Sequence, residues 1–353
     1  MAGAARAALS IVGRPAIIDH VTTIVLPVDP QLPDPTAIAR AAAVLRAGGL
    51  VVFPTETVYG LGANALDVEA VAGIYRAKGR PATNPLIVHV GTIADAQRLA
   101  TTWPAAAEKL AERFWPGPLT IVLPKTSLVP ETTTAGGATV ALRMPSHPVA
   151  RALLAASGVP LAAPSANTST GISSTTAQHV LKTLNDRVDM VLDGGACPGG
   201  LESTVLDLSG EHPRLLRPGL IGVAELEAVL GTPIRVAAEI NERQPAPSPG
   251  MMPRHYAPTV PLECVEGDAT ARVAEHVAKG LRVGWIVRQS RKSPQAAVVV
   301  ALRNDVAGYS AALYSALHEL ESAAIDRIVV EMPPDESQWL AVRDRLRRAS
   351  CPP

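Results

Sequence analysis

Four cations occupy positions where the chain turns. Lys78 and Arg80 follow an apolar helical stripe and precede Asn84-Pro85; Arg143 comes two residues before Pro145; Arg217 directly precedes Pro218-Gly219. Taken alone, Lys78 and Arg80 read as a solvated pair favoured by the negative carboxyl end of a helix. Arg143 and Arg217 shift the balance, because each ends a short apolar strand and α/β sheets gather ligands beyond strand ends. Cations on such loops suit a polyphosphate, with arginine forking onto phosphate oxygens and lysine acting as a point charge. Pro164-Ser165-Ala166-Asn167 follows a buried run. Its hydroxyl, amide and backbone N–H groups can hold a phosphate or an adenine, although an ordinary polar turn has the same composition.

Other signals carry less. His89 falls on the opposite strand face from Leu86, Val88 and Val90, where a lone histidine is more often a satisfied structural residue than a catalytic one. Glu202-Ser203-Thr204, after a loop with Gly194, Gly195, Gly199 and Gly200, is compatible with a plain hairpin. Gly60-x-Gly62-x-x-Ala65 satisfies a loose dinucleotide fingerprint, but Pro54 to Tyr59 separate it from the strand, and the next strand ends in His89-Val90-Gly91 without an acidic residue. Walker-A, HExxH and GxSxG patterns are absent, and no spacing supports covalent catalysis. Cys197, Cys264 and Cys351 are too few and too scattered for a disulfide framework or a structural zinc.

The elements that must position these residues alternate. Asp34-Pro35 opens a helix with Ile38, Ala41, Ala42 and Leu45 on one face; Leu50 to Phe53 is a buried strand stopped by Pro54, leaving Thr55 beyond its carboxyl end. Asp67 caps the helix that leads to Lys78, and Leu86 to Val90 is the next strand. Further strands are expected at Leu119 to Leu123, Thr139 to Leu142, Leu161 to Ala163, Met190 to Leu192, Thr204 to Leu208 and Arg214 to Leu216, with helices at Ala105 to Phe114, Val149 to Ala156 and Thr176 to Leu184. Strands crowded after residue 190 predict a mixed sheet. At about 150 residues per domain, 353 residues predict more than one core. Prolines at 245, 247, 249, 253 and 258 mark an extended linker, after which strands at 262, 283, 297 and 327 alternate with helices. The expected division is 20–231, a linker at 232–259, and a smaller α/β domain at 260–353.

Composition narrows the function classes. Lys plus Arg (32) balance Asp plus Glu (32), so any basic site is local, and two Phe, four Trp and five Tyr leave little for stacking bases along a strand. The alanine-rich stretch Met1 to Arg14 lacks a signal-peptide pattern, and no apolar run approaches the ~20 residues that span a bilayer. A soluble, cytoplasmic protein is the expectation.

Together the segments are far more specific than any one. Phe53-Pro-Thr-Glu-Thr-Val-Tyr-Gly-Leu-Gly62, Lys78-Gly-Arg80, Asn84-Pro-Leu-Ile-Val-His89, Trp115-Pro-Gly-Pro-Leu-Thr120, Arg143-Met-Pro145, Pro164-Ser-Ala-Asn167, Glu202-Ser-Thr204 and Leu216-Arg-Pro-Gly219, in this order, resemble the YrdC-like threonylcarbamoyl-AMP synthases. Pro249-Gly-Met251, His255-Tyr-Ala-Pro258 and Arg345-Leu-Arg-Arg-Ala349 resemble the linker and C-terminal domain of the two-domain form, with Asp344 where asparagine is common.

The resemblance implies a YrdC-like twisted mixed sheet flanked by helices, plus a Rossmann-like C-terminal domain. It implies synthesis of L-threonylcarbamoyladenylate from L-threonine, bicarbonate and ATP with release of pyrophosphate, for threonylcarbamoyl-adenosine modification of tRNA. Mg²⁺ would come bound to ATP, with no ligand from the protein, and the product would pass to the tRNA threonylcarbamoyltransferase machinery. By matching motif, Lys78, Arg80, Asn84, Arg143, Ser165, Asn167, Ser173 and Arg217 face ATP, with Lys78 and Arg80 the most critical. Thr55, His89, Thr139 and Ser203 hold threonine and bicarbonate, and Gly250 to Tyr256 form a lid. The rival readings are a double-stranded RNA-binding module, with weak RNA binding through a basic face, and carbamoyl-adenylate chemistry on another acceptor.

Overall fold

The protein was described from a computed structural model, over residues 22–236, 253–289 and 298–352. Met1 to Arg14, the prolines at 245, 247 and 249, Gly250, Met251 and Ala297 lie outside the described residues.

Among the described residues eleven strands form the larger sheet: β1 (Ile24–Pro27), β2 (Val51–Phe53), β3 (Gly60–Asn64), β4 (Ile87–His89), β5 (Leu119–Pro124), β6 (Thr139–Arg143), β7 (Leu161–Ala162), β8 (Met190–Asp193), β9 (Thr204–Asp207), β10 (Arg214–Arg217) and β11 (Arg235–Val236). Their spatial order is β1-β8-β2-β3-β7-β4-β6-β5-β9-β10-β11. Pairing is mixed, as the crowded strands predict: β4 runs parallel to β6 and β5 to β9, while β7 is antiparallel to both β3 and β4. β11 carries this sheet into the segment expected to be linker.

Two expectations change. Gly60–Asn64 is a strand antiparallel to β2, so Pro54 to Tyr59 is the connection of a hairpin; its Gly-Leu-Gly-Ala-Asn sequence is poor in β-formers, and pairing with buried neighbours overrides that weak propensity. Glu202-Ser203-Thr204 does not turn a hairpin. β8 pairs with β1 and β2, whereas β9 pairs with β5 and β10, so the chain between them crosses to another part of the sheet.

Helix Val68–Lys78 shows how local chemistry delivers the first cations. Asp67 accepts from the N–H groups of Glu69 and Ala70, Val71 and Ile74 bury one face, and Gly79 ends the helix at φ 60°. That left-handed turn bends the chain so that Lys78 and Arg80 point inward, only 2 % and 8 % exposed. They are not the solvated pair that a helix end alone suggests.

Among the described residues the C-terminal domain has four parallel strands, β12 (Leu262–Val265), β13 (Val283–Val287), β14 (Val298–Ala301) and β15 (Arg327–Glu331), ordered β12-β15-β13-β14. Helices Thr270–Ala278, Val306–Ser322 and Leu340–Ser350 accompany them. Parallel strands joined through helices give the expected α/β form. Its apolar core includes Leu313, Leu317, Val342 and Leu346, and it is continuous with Val58, Ile172 and Leu201 of the large domain and Tyr256 of the connecting segment. The two domains thus share buried apolar surface.

Candidate active site

Sheet register brings the scattered motifs to one place. In the parallel β4–β6 pair His89 lies opposite Arg143, and the antiparallel β9–β10 pair brings Arg217 beside Val205, just after Ser203. Thr55 reaches the same region from beyond β2, and Ser165 from beyond β7, where it bridges to Gly60. A hollow of about 40 Å³ results, lined by Thr55, Arg80, His89, Arg143, Ser165 and Arg217 together with Glu202, His255 and Tyr256.

Each cation is held by oxygen atoms. Lys78 Nζ donates to the Ser165 carbonyl at 2.6 Å and to that of Asn167. Arg80 Nη2 donates to Asn84 Oδ1 at 2.6 Å and to the Pro85 carbonyl at 2.9 Å, and its Nε to the Asn84 carbonyl. Arg143 Nη2 donates to Glu56 Oε1 at 2.7 Å and to Thr57 Oγ1 at 3.0 Å. Arg217 Nη2 donates to Ser203 Oγ at 3.0 Å, and Ser203 shares a 2.8 Å hydrogen bond with Thr120. The Thr55 hydroxyl donates to the Val58 carbonyl at 2.7 Å.

Positive charge crowded in a dry place leaves its mark on the titrating groups. Burial, then Arg80, pushes the Lys78 amine well below its usual range; burial lowers Arg80 to about 10, and Arg217 pushes the same way. Burial and then Arg143 keep His89 neutral; burial and then Arg80, Lys78 and Arg217 do the same to His255, with Glu202 opposing. Buried polar atoms at and beside the hollow also lack a hydrogen-bond partner: His89 Nδ1, Arg143 Nε, Asn167 Oδ1, His255 Nδ1 and Tyr256 OH. Unmet polar atoms beside clustered cations are the signature of a site shaped for a polar, anionic ligand.

The sequence-expected residues separate into three groups. Thr55, Arg80, His89, Arg143, Ser165 and Arg217 line the hollow. Lys78, Asn84, Asn167, Ser173 and Ser203 are buried and brace that lining through hydrogen bonds to Ser165, Arg80, Glu202 and Arg217. Asn167 does so through its carbonyl, beside that of Ser165. Thr139 is the exception: it starts β6, opposite Pro124, roughly 13 Å of strand from Arg143 at ~3.3 Å per residue. Sequence reasoning passed over Glu56, Thr57 and Thr120, and treated Glu202 as a turn residue. Of the expected lid, Pro253 to Tyr256 are described, and of these His255 and Tyr256 line the hollow.

Comparisons with known proteins place the chain in a family. Residues 43–219 match the family described as "Telomere recombination" and residues 221–351 the one described as "Threonylcarbamoyl-AMP synthase, C-terminal domain". The threonylcarbamoyl-AMP synthase of Bacillus subtilis is 44 % identical over 330 residues, covering 91 % of this chain and 93 % of that one. That of Pyrococcus abyssi is 44 % identical over 322 residues, covering 89 % and 94 %. A crystal structure of P. abyssi Sua5 complexed with L-threonine superposes with a TM-score of 0.88 at 42 % identity, covering 93 % of this chain and 98 % of that one. Two-domain architecture, clustered cations and these similarities lead to one conclusion: the chain belongs to the threonylcarbamoyl-AMP synthase family.

Proposed function

We propose that the hollow is where this synthase joins L-threonine, bicarbonate and ATP into L-threonylcarbamoyladenylate, releasing pyrophosphate. The observation that carries this is the convergence of Arg80, Arg143 and Arg217 on one hollow with unpartnered buried polar atoms around it. Similarity to a structure complexed with L-threonine supports placing the amino acid in the same hollow.

The chemistry needs no enzyme nucleophile. The threonine amino nitrogen bonds the carbon of bicarbonate as a C–O bond breaks and water leaves; the resulting carbamate oxygen then attacks the α-phosphorus of ATP in line, and the bond to the β-phosphate oxygen breaks to release pyrophosphate. Cys197 is unsuited to covalent work, since burial raises its thiol to about 12. The protein's part is to orient the reactants and to oppose charge developing on the pyrophosphate. In this reading Arg80, Arg143 and Arg217, backed by Lys78, Asn84, Ser165, Asn167 and Ser173, take the nucleotide. Thr55, neutral His89 and Ser203 take threonine and its carboxylated form.

Among the described residues no group of three or more His, Cys, Asp or Glu could hold a metal ion, and Glu56 and Glu202 beside the hollow are paired with Arg143 and Arg345. That donor set fits Mg²⁺ arriving on the phosphates of ATP, where it would shield the departing pyrophosphate. The hollow measures about 40 Å³, less than the ~300 Å³ typical of a small-molecule site, and His255 and Tyr256 form part of its wall. The adenylate then passes to a transferase that modifies tRNA. Among the described residues no helix is long and apolar enough to cross a membrane.

Pyrophosphate release with ATP and Mg²⁺, omitting threonine or bicarbonate in turn, tests the reading. Dependence on both is expected. Turnover indifferent to threonine would defeat it, and retention of duplex RNA without turnover would favour the RNA-binding alternative.

A further inference from the structure

The C-terminal domain reaches the hollow's wall through buried contacts centred on Glu202. Glu202 Oε2 accepts from Arg345 Nε at 2.7 Å and from the Tyr314 hydroxyl at 3.0 Å, while Glu202 Oε1 accepts from Ser173 Oγ at 2.5 Å. The same Arg345 donates through Nη2 to the Pro218 carbonyl at 3.0 Å and lies 4.8 Å from the centroid of the Tyr256 ring. Asp344 accepts from Arg345 Nη1 at 2.6 Å and from Arg348 Nε at 2.9 Å, which fixes the guanidinium from behind. From helix Val306–Ser322, His318 Nε2 donates to the Ser173 carbonyl at 3.2 Å, and Ser315 shares a 3.1 Å hydrogen bond with Thr175.

We propose that Arg345 is a positioning residue for the nucleotide side of the site, acting through Glu202 on Ser173 and Arg217. This rests on the synthase reading above. The Arg345 side chain is fully buried and that of Glu202 is 7 % exposed, so each charge depends on its partner for solvation. The groups that face Glu202 are Arg345, Tyr314, Ser173, Arg217, His255 and Tyr256. Only Arg345 and Arg217 among these bring a permanent positive charge. Arg217 has a second duty, donating to the carbonyl and hydroxyl of Ser203. With Arg345 in place, Glu202 stays ionised without drawing Arg217 away, and the Ser173 hydroxyl stays fixed as a donor to Glu202.

Removing Arg345 leaves Glu202 two outcomes. It takes up a proton, becoming a donor that contests the Ser173 bond, or it stays charged and pulls Arg217 off Ser203. Both displace nucleotide-facing groups, and at higher pH the unpaired carboxylate repels the phosphates of ATP.

The test is steady-state pyrophosphate release by the full-length chain, with Arg345→Met, Tyr314→Phe and the double variant Glu202→Gln/Arg345→Met, each checked for folding by circular dichroism. Arg345→Met is expected to raise KM for ATP by about 10- to 100-fold, more than KM for threonine. Its kcat/KM for ATP should fall further between pH 6 and pH 9, a dependence that the double variant loses. Tyr314→Phe should shift KM for ATP in the same direction by a few-fold. If Arg345→Met does not fold, the double variant and Tyr314→Phe decide. An unchanged KM for ATP in the folded variants, or a pH profile that survives in the double variant, overturns the proposal. Threonine-independent turnover by the unaltered chain would overturn the synthase reading instead.

Discussion

The Lys78 ε-amino group donates to the Ser165 carbonyl oxygen at 2.6 Å, tying the end of helix Val68–Lys78 to the loop beyond β7. The cation therefore shapes the loop as well as adding charge. Lys78→Met should reduce pyrophosphate release by about 100-fold, comparable to removing a key electrostatic donor. It should also destabilise the fold by about 1–3 kcal/mol, since buried carbonyl oxygens lose their partner. Thermal melting read beside activity checks both; a variant with normal stability and no activity would leave Lys78 a purely electrostatic role.

The buried histidines predict how stability responds to acid. Burial is the largest influence on His89, His147, His179, His255 and His318, lowering His179 to about 3 and His318 to about 4. The unfolded chain, with ordinary values near ~6.5, binds more protons below that pH than the folded chain does. Stability is therefore fully present above pH ~6.5 and is lost as the pH falls through it, by up to about 1.4 kcal/mol per pH unit for each group. Chemical denaturation at pH 7.5 and 5.5 should show the loss, and His255→Gln should make it shallower. Equal slopes with and without His255 would contradict its neutral burial.

Glu56 predicts a binding effect without a change in catalytic groups. Its Oε1 takes Arg143 Nη2 at 2.7 Å and its Oε2 takes the Ser146 N–H at 3.0 Å, so both oxygens face donors. In Glu56→Gln the amide nitrogen must confront one of those donors, leaving it unsatisfied. KM for ATP should rise about 10-fold, equivalent to ~1.4 kcal/mol, as Arg143 loses its fixed position. Steady-state kinetics with ATP varied at saturating threonine checks this, and an unchanged KM would show that Thr57 alone suffices to hold Arg143.

Much of the site could be read from the sequence because its cations interrupt local patterns. Arg80, Arg143 and Arg217 each follow a periodic apolar segment and precede a proline or a polar turn, and all three line the hollow. Thr139 shows the limit: a strand has two ends, and only the pairing of His89 with Arg143 shows which of them lines the hollow. Glu202 and Arg345 show another. They are 143 positions apart on different domains, and their ion pair exists only because Leu201 and Leu346 are buried in one shared core. Local propensity likewise gave no warning of Gly60–Asn64, whose strand character comes from β2 and β7 on either side.

Gly219 turns that long-range packing into a sharp test. A Cβ built there would lie 2.3 Å from the Thr204 nitrogen, 2.5 Å from the Ser203 carbonyl carbon and 2.6 Å from the Glu202 carbonyl oxygen. All three are backbone atoms, so no side chain can swing aside, and the segment 202–204 must shift. Ser203 then moves relative to Thr120 and Arg217, and Glu202 relative to Ser173. A displacement near 1 Å at such positions costs about 100-fold in rate, so Gly219→Ala should be nearly inactive even where the chain still folds. Gly210→Ala is the control, since a Cβ there meets nothing within 4 Å. It should match the unaltered chain in turnover and melting temperature. Equal activity in the two variants would mean that the 202–204 segment tolerates movement, and that Ser203 and Glu202 do not set the geometry of the site.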